Sequence, residues 1–460
     1  MAYDNRDSID FGAVEIRHLF RTIFVPTLLG MVFDMIFVLT DGIFVGHGVG
    51  PDGLASVNLV SPIMMLITGI GMMFGVGGSV VAAIHLAKDN LKAARINCSQ
   101  ALAGSLCVGV LIAVVLYGLP SPVLRLLGTS EALLDMAREY MFWFVPTCIF
   151  IMLQIVGAFI IRLDGSPRYA MYCAIVPSVL NIILDYLFIF PFHWGLMGAA
   201  FATDIGTGIG AAMTVWYFMG RAQKIHYYPI KMSSVSLHLF ARNAGYMMRV
   251  GFSAFIGEAA MSVMALCGNL AFGRYLGDMG IAAFCVVCYL YPVVFNVFYA
   301  VSTSAQPIIS FNHGAHKEQR VEDTFRYSLT IAVGFAATVA LLMWFFAPQV
   351  ISVFLQPGTE SFGYAAAGLP LFALGFVLSG FNVTTIGYFQ STEQNLSSTI
   401  LMTLRGIAMP IVFFVVLPLV WGDRGLWLAV PASELVTIIL SVTLLLKGKI
   451  TRNAGNPQNH

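Results

Sequence analysis

Charge is what this 460-residue chain lacks most. Only 10% of its residues are Asp, Glu, Lys or Arg, against about a quarter in soluble domains, and that scarcity excludes a water-soluble globule. The net charge of +1 points to no charged partner, and no nucleic acid is expected. No Gly-rich loop ending in Gly-Lys-Ser/Thr occurs, so nothing suggests that ATP drives the protein. The opening MAYDNRDSID has no basic n-region, so no cleaved signal peptide is expected. Almost all seven cysteines lie in apolar runs. Cys285 and Cys288 have a C-x2-C spacing without a second ligand pair, which fits membrane packing rather than zinc or redox chemistry. No His lies deep in an apolar run beside another candidate ligand. An intramembrane enzyme is therefore not expected, and no cofactor is called for.

What is present is length and apolarity. The chain is 58% hydrophobic with mean hydropathy +0.83. Apolar runs of roughly 20 residues or more predict spanning helices near 18–45, 54–87, 97–119, 137–161, 169–191, 195–220, 245–272, 280–311, 326–347, 363–389, 396–419 and 425–446. The expected fold is an all-α polytopic membrane protein of twelve spans, embedded as a monomer in the lipid bilayer of the inner (plasma) membrane. Nineteen Lys or Arg fall in the termini and even-numbered loops. Only Arg125, Arg138, Arg274 and Arg424 fall in the odd-numbered loops. The positive-inside rule then puts both termini in the cytoplasm.

The chain repeats itself 227 residues on. Gly30 matches Gly257, Gly46 matches Gly273, Gly50 matches Gly277, Gly53 matches Gly280 and Pro191 matches Pro418; after a short insertion, Asp204 matches Glu434. Six spans followed by six with the same polarity describe a parallel repeat about an axis along the membrane normal. The expected domains are an N-lobe (1–220), a cytoplasmic bridge (221–244), a C-lobe (245–447) and a tail (448–460). A two-lobed transporter is the natural reading.

Six carboxylates, Asp34, Asp41, Asp185, Asp204, Glu258 and Glu434, lie inside the spans, with Arg405 as the one basic residue among them. A charge at bilayer depth costs at least about 2.5–3.5 kcal/mol, so such acids usually line a polar path. The repeat acts as an internal control: Asp41 aligns with Gly268, Asn181 with Ala408 and Asp185 with Val412. A scaffold need shared by both halves would have kept these groups in both. Asp41, Asp185 and Thr203 fall within roughly 5 Å of one depth, and Asn181 shares a helix face with Asp185. Together they form either an oxygen cage for Na⁺ or a proton-sharing carboxylate site, unless they are only a hydrogen-bonded brace between helices. Asp34, seven residues before Asp41, is a cavity acid or a structural hydrogen-bonding group. Glu258 is the main acid of the second half to weigh for substrate. Gln154, deep in the fourth span, is a polar substrate contact or an interhelical hydrogen bond. Glu434 has a plausible partner in Arg405, which reads as structural. Some of the 36 Phe and 23 Met, including Met64 to Met73, Phe142 and Trp143, could line an adaptable apolar cavity.

The segments TDGIFVGHGVGPDGLASVNLVSPI, SVLNIILDYLFIF, GLMGAAFATDIG and FQSTEQNLSSTILMTLRGIAMP resemble elements of the multidrug and toxic compound extrusion (MATE) family, and the likeness runs over essentially the whole chain. The resemblance implies a two-lobed, twelve-helix antiporter that exports organic cations against inward H⁺ or Na⁺. It further implies an ion-coupling site in the N-lobe at Asp41, Asn181, Asp185 and Thr203, with Tyr140 hydrogen-bonded into it. Glu258 matches one acid of the branch with a C-lobe site, but the tenth span offers Asn382 instead of the second acid. A lipid-linked oligosaccharide flippase of the same superfamily is a rival, although its pyrophosphate cargo needs cavity Arg or Lys. A physiological metabolite exporter is another.

Overall fold

The structure is a computed structural model that describes residues 9–230 and 233–454. Arg6, Lys231 and the last residues of the expected tail lie outside the described residues. The described residues form helices and connecting loops, with no strand among them. Within a bilayer a helix satisfies its own backbone hydrogen bonds, which is why apolar runs of this length adopt it.

Ten described helices are each long and apolar enough to cross a membrane. The pair Glu131–Phe144 and Thr147–Leu163, bent by 47°, makes one further span. The 81-residue stretch Ser234–Gly314 is broken at Gly277, with φ 62° and ψ −156°, and so holds two. The twelve spans are α1 (Ile16–Gly48), α2 (Pro51–Ala87), α3 (Leu91–Gly118), α4 (the bent pair), α5 (Pro167–Ile189), α6 (Gly195–Trp216), α7 and α8 (234–276 and 278–314), α9 (Glu318–Ile351), α10 (Glu360–Ser391), α11 (395–421) and α12 (Asp423–Ala454). Two features differ from the sequence expectation. The fourth span is broken, because Pro146 has no N–H to continue the helix. The seventh begins at Ser234, so half of the expected bridge is helical.

The repeat is deeper in the backbone than in the residues. Left-handed φ angles occur at Gly50, Asp89, Gly128, Gly165 and His193, and again at Gly277, His316, Gly358, Glu393 and Gly422, with Gly195 as one more that has no counterpart of its own. Each pair is 227 to 230 residues apart. These are the turns between helices, where a positive φ reverses the chain. Asp89 and His316 share no chemistry, so sequence matching could not find them.

Contacts divide the chain into two compact units. The first holds the residues up to Glu258 together with Pro307–Val321, and the second holds Ala259–Gln306 and the residues from Glu322 onward. Within the first, α1 packs on α5, α5 on α6, and α2 on α3 and α4. Residues 247–251 of α7 also belong there, because Gly77 of α2 and Gly251 allow backbone to touch backbone. A Cβ on Gly77 would overlap the Met247 carbonyl oxygen, and one on Gly251 that of Met73. The 307–321 segment is tied to the N-terminal residues by Asn312 Nδ2 donating to the Phe11 carbonyl at 2.9 Å and Arg320 Nη2 to that of Val14 at 2.6 Å. Buried Asp164, after α4, accepts hydrogen bonds from Tyr217 Oη at 2.7 Å and from the N–H groups of Gln223, Lys224 and Ile225 at 2.6 to 2.8 Å. These pin the start of the bridge to the first unit. In the second unit, α10 packs on α12 and α12 on α11.

Candidate functional site

Helical spacing gathers the polar groups of the first unit. On α5, Ser178, Asn181 and Asp185 follow one another at three- and four-residue steps on one face. On α1, Asp34 and Asp41 are seven apart, and on α6, Thr203 and Thr207 are four apart. The close approach of α6 to α5 has a specific cause. A Cβ on Gly206 would stand 3.1 Å from the Pro177 carbonyl oxygen and 3.2 Å from Asn181 Cβ. That proximity lets Asn181 Nδ2 donate to Thr203 Oγ1 at 3.3 Å, while Thr203 donates its own proton to the Ala199 carbonyl at 3.1 Å.

Asp185 is fully buried and Asn181 is 2% exposed. Asp41 meets Asp185 carboxyl to carboxyl. Neither carboxylate oxygen of Asp185, nor Asp41 Oδ1, nor Asn181 Oδ1 receives a hydrogen bond from a protein donor. A buried acceptor left without a donor costs about 1–3 kcal/mol, and more when charged. Three of these oxygens belong to the Asp41–Asp185 pair and the fourth to Asn181, one helical turn from Asp185. Tyr140, 5% exposed, lies within electrostatic reach of Asp41, Asp185 and Asp204 and stacks on Phe144 with 5.7 Å between ring centroids. It makes no hydrogen bond to a described residue. No group of three or more His, Cys, Asp or Glu side chains suited to a metal occurs among the described residues. An alkali cation here would draw on the amide and hydroxyl as well as the two acids.

A cavity of about 350 Å³ opens next to this pair, walled by α1, α2, α4, α5 and α6. Its lining includes Asp34, Met64, Met72, Gln154, Ser178, Asn181, Thr203 and Thr207. Ser178 Oγ lies 3.1 Å from Asp34 Oδ1 and 2.9 Å from the Ala174 carbonyl, so its one proton is divided between them. Gln154 has a structural task. Pro177 leaves the Cys173 carbonyl without its i+4 donor, and Gln154 Nε2 donates to that oxygen at 2.8 Å. The signal was in the sequence, since any proline inside a span frees the carbonyl four residues earlier. Phe142 and Trp143 line a different hollow, of about 390 Å³, with Tyr117, Asp135, Arg138 and Glu139. Glu258 stands apart from the cavity walls, against Gly69 of α2. Asp204 accepts from Thr147 Oγ1, a partner that sequence reasoning had not named.

The second unit treats the same repeat positions differently. Gly268, the counterpart of Asp41, faces the Phe284 ring, which fills the space a side chain would need. Glu434, the counterpart of Asp204, is fully engaged: Arg405 Nε donates to it at 3.0 Å, Ser379 Oγ at 2.7 Å and Asn382 Nδ2 at 2.7 Å. Arg405 also reaches Tyr291 Oη at 3.2 Å. A π-helical turn, Leu404–Ala408, carries Arg405. Asn382, where a second acid was absent, is thereby tied into a saturated network.

Comparison with known proteins agrees with this architecture. The MatE family model matches residues 26–187 and 254–418, one match in each half of the repeat. Multidrug export protein MepA of Staphylococcus saprophyticus is 24% identical over 433 residues, covering 93% of each chain. MepA of Staphylococcus aureus is 22% identical over 431 residues, again at 93% of each. An outward-facing structure of a multidrug resistance MATE family transporter of the MOP superfamily superposes with a TM-score of 0.87, at 23% identity over 97% of this chain and 98% of that one. A MOP superfamily transporter from Pyrococcus furiosus, described as having a binding pocket of reverse polarity, superposes equally well at the same identity and coverage. With twelve spans in a six-plus-six repeat and a family match in each half, the chain belongs to the MatE family of membrane transporters and is not an enzyme.

Proposed function

We propose that this transporter is a secondary antiporter that exports organic cations in exchange for inward H⁺ or Na⁺. The observation that carries the reading is the buried Asp41–Asp185 pair with Asn181 one turn away, four of whose oxygens have no protein donor. Desolvated carboxylates side by side are costly unless a proton or cation is present. Loading therefore changes how well α1 and α5 pack, and a ligand with different affinity for two packings shifts the balance between them. Thr203 and the Asn181 carbonyl supply the further oxygens a hard cation such as Na⁺ prefers. The moving bodies are the two six-helix lobes of the repeat, 1–220 and 245–447, linked by 221–244. Both termini are cytoplasmic, the chain works as a monomer in the inner membrane, and access alternates between its two sides.

The names of the MepA relatives support a drug-like cationic cargo, and a physiological metabolite exported by the same mechanism is the same reading with another substrate. A flippase for a pyrophosphate-linked lipid fits less well, because Arg405 is already spent on Glu434. The test is uptake of a fluorescent organic cation into proteoliposomes under separate H⁺ and Na⁺ gradients. Transport driven by at least one gradient is expected, and Asp41→Asn or Asp185→Asn should abolish it at normal expression. Full coupled transport by either variant refutes the assignment.

A further inference from the structure

We infer that the substrate cation and the coupling ion load onto two separate acid groups: Asp34 in the cavity wall takes the organic cation, and the Asp41–Asp185 pair behind the wall takes the ion. The inference rests on the antiport reading and adds where each charge goes. The described cavity lining contains one charged side chain, Asp34, and neither Asp41 nor Asp185 belongs to it. Seven residues along a helix correspond to about 10 Å, so a single cationic centre held against Asp34 does not touch the pair. Asp34 has only a shared hydroxyl proton from Ser178, which leaves most of its charge for a ligand.

The rest of the wall defines the ligand class. Met64, Met72 and Ile155 make the surroundings predominantly apolar, and the volume of about 350 Å³ suits a compact drug-sized molecule. One uncompensated negative charge in such a cavity selects an aromatic monocation over a dication or a neutral molecule. Asn181 and Thr203 connect the two places. Both line the cavity, they are hydrogen-bonded to each other, and Asn181, whose carbonyl oxygen has no donor, lies one helical turn from Asp185 on the same face. An ion arriving at Asp41–Asp185 thus acts on the substrate through Asn181 rather than by displacing it from one shared carboxylate.

Ethidium binding to the purified full-length transporter separates these cases. Asp34→Asn should weaken ethidium binding about tenfold or more, because a charge pair is lost in a cavity of low dielectric. Asp34→Glu should restore most of it, which excludes misfolding as the cause. Binding of uncharged phenanthridine should be unaffected by Asp34→Asn. If Na⁺ drives the wild type, rising Na⁺ at fixed pH should weaken ethidium binding up to a plateau, as linked sites require, and Asp41→Asn should remove that dependence. If H⁺ drives it, the fall in binding with pH should be shallower in Asp41→Asn, which keeps only the titration of Asp34 itself. Ethidium binding unchanged in Asp34→Asn, an apparent Kd that climbs without limit as Na⁺ rises at fixed pH, or a pH dependence identical in wild type and Asp41→Asn overturns the two-site inference and leaves antiport standing. Wild-type protein that binds no organic cation defeats the antiport reading itself.

Discussion

Replacing Glu434 by Gln should unfold the second unit more easily without touching the chemistry of transport. The Arg405 and Glu434 side chains are 3% and 2% exposed, and the carboxylate also accepts from Ser379 and Asn382. Gln keeps the shape and one acceptor oxygen but leaves the guanidinium, which cannot shed its proton, buried without a counter-charge. Removing one member of a buried pair costs about 3–5 kcal/mol. At roughly 2 °C per kcal/mol for a domain of this size, the apparent Tm should fall by about 6–10 °C. The assay is thermal unfolding of purified protein in detergent at one fixed scan rate, since unfolding of such a protein need not be reversible. The double variant Arg405→Leu/Glu434→Leu should recover most of the loss, because two apolar side chains replace a buried pair at little cost. Transport per folded molecule of Glu434→Gln should stay near wild type. A wild-type Tm in the single variant, or a double variant no better than the single, would refute the reasoning.

Gly77→Ala should lower the apparent Tm by an amount equivalent to about 1–3 kcal/mol, because the added methyl meets the Met247 carbonyl and forces α2 from α7. Gly363→Ala, where nothing lies within 4 Å, should leave it unchanged in the same measurement. A single cysteine at Ser234, placed in a cysteine-free background, should react with a membrane-impermeant maleimide in inside-out vesicles and not in intact cells. Labelling in intact cells would reverse the assigned orientation.

The span count and the repeat were legible in the sequence, as was the grouping of Asp41, Asn181, Asp185 and Thr203 as candidates, because insertion energetics act on composition and helical periodicity acts locally. An acid inside an apolar run announces its own cost, and the repeat showed which acids the scaffold does without. The sequence could not say which acids would find donors. Glu434 and Asp185 look alike in the chain. Glu434 is saturated only because α10 and α11 bring Ser379, Asn382 and Arg405 to it, whereas α1 and α6 bring Asp185 another carboxyl group and no hydrogen-bond donor. Likewise only the fold showed that Gln154, which read as either a ligand contact or a brace, both lines the cavity and donates to the carbonyl that Pro177 had freed. The division between Asp34 on the cavity wall and Asp41 behind it also came only with the fold, since both lie on one helix face and differ only in what the neighbouring helices place around them. Local energetics fixed which groups would be costly to bury; tertiary packing decided which of them were satisfied and which were left to bind something else.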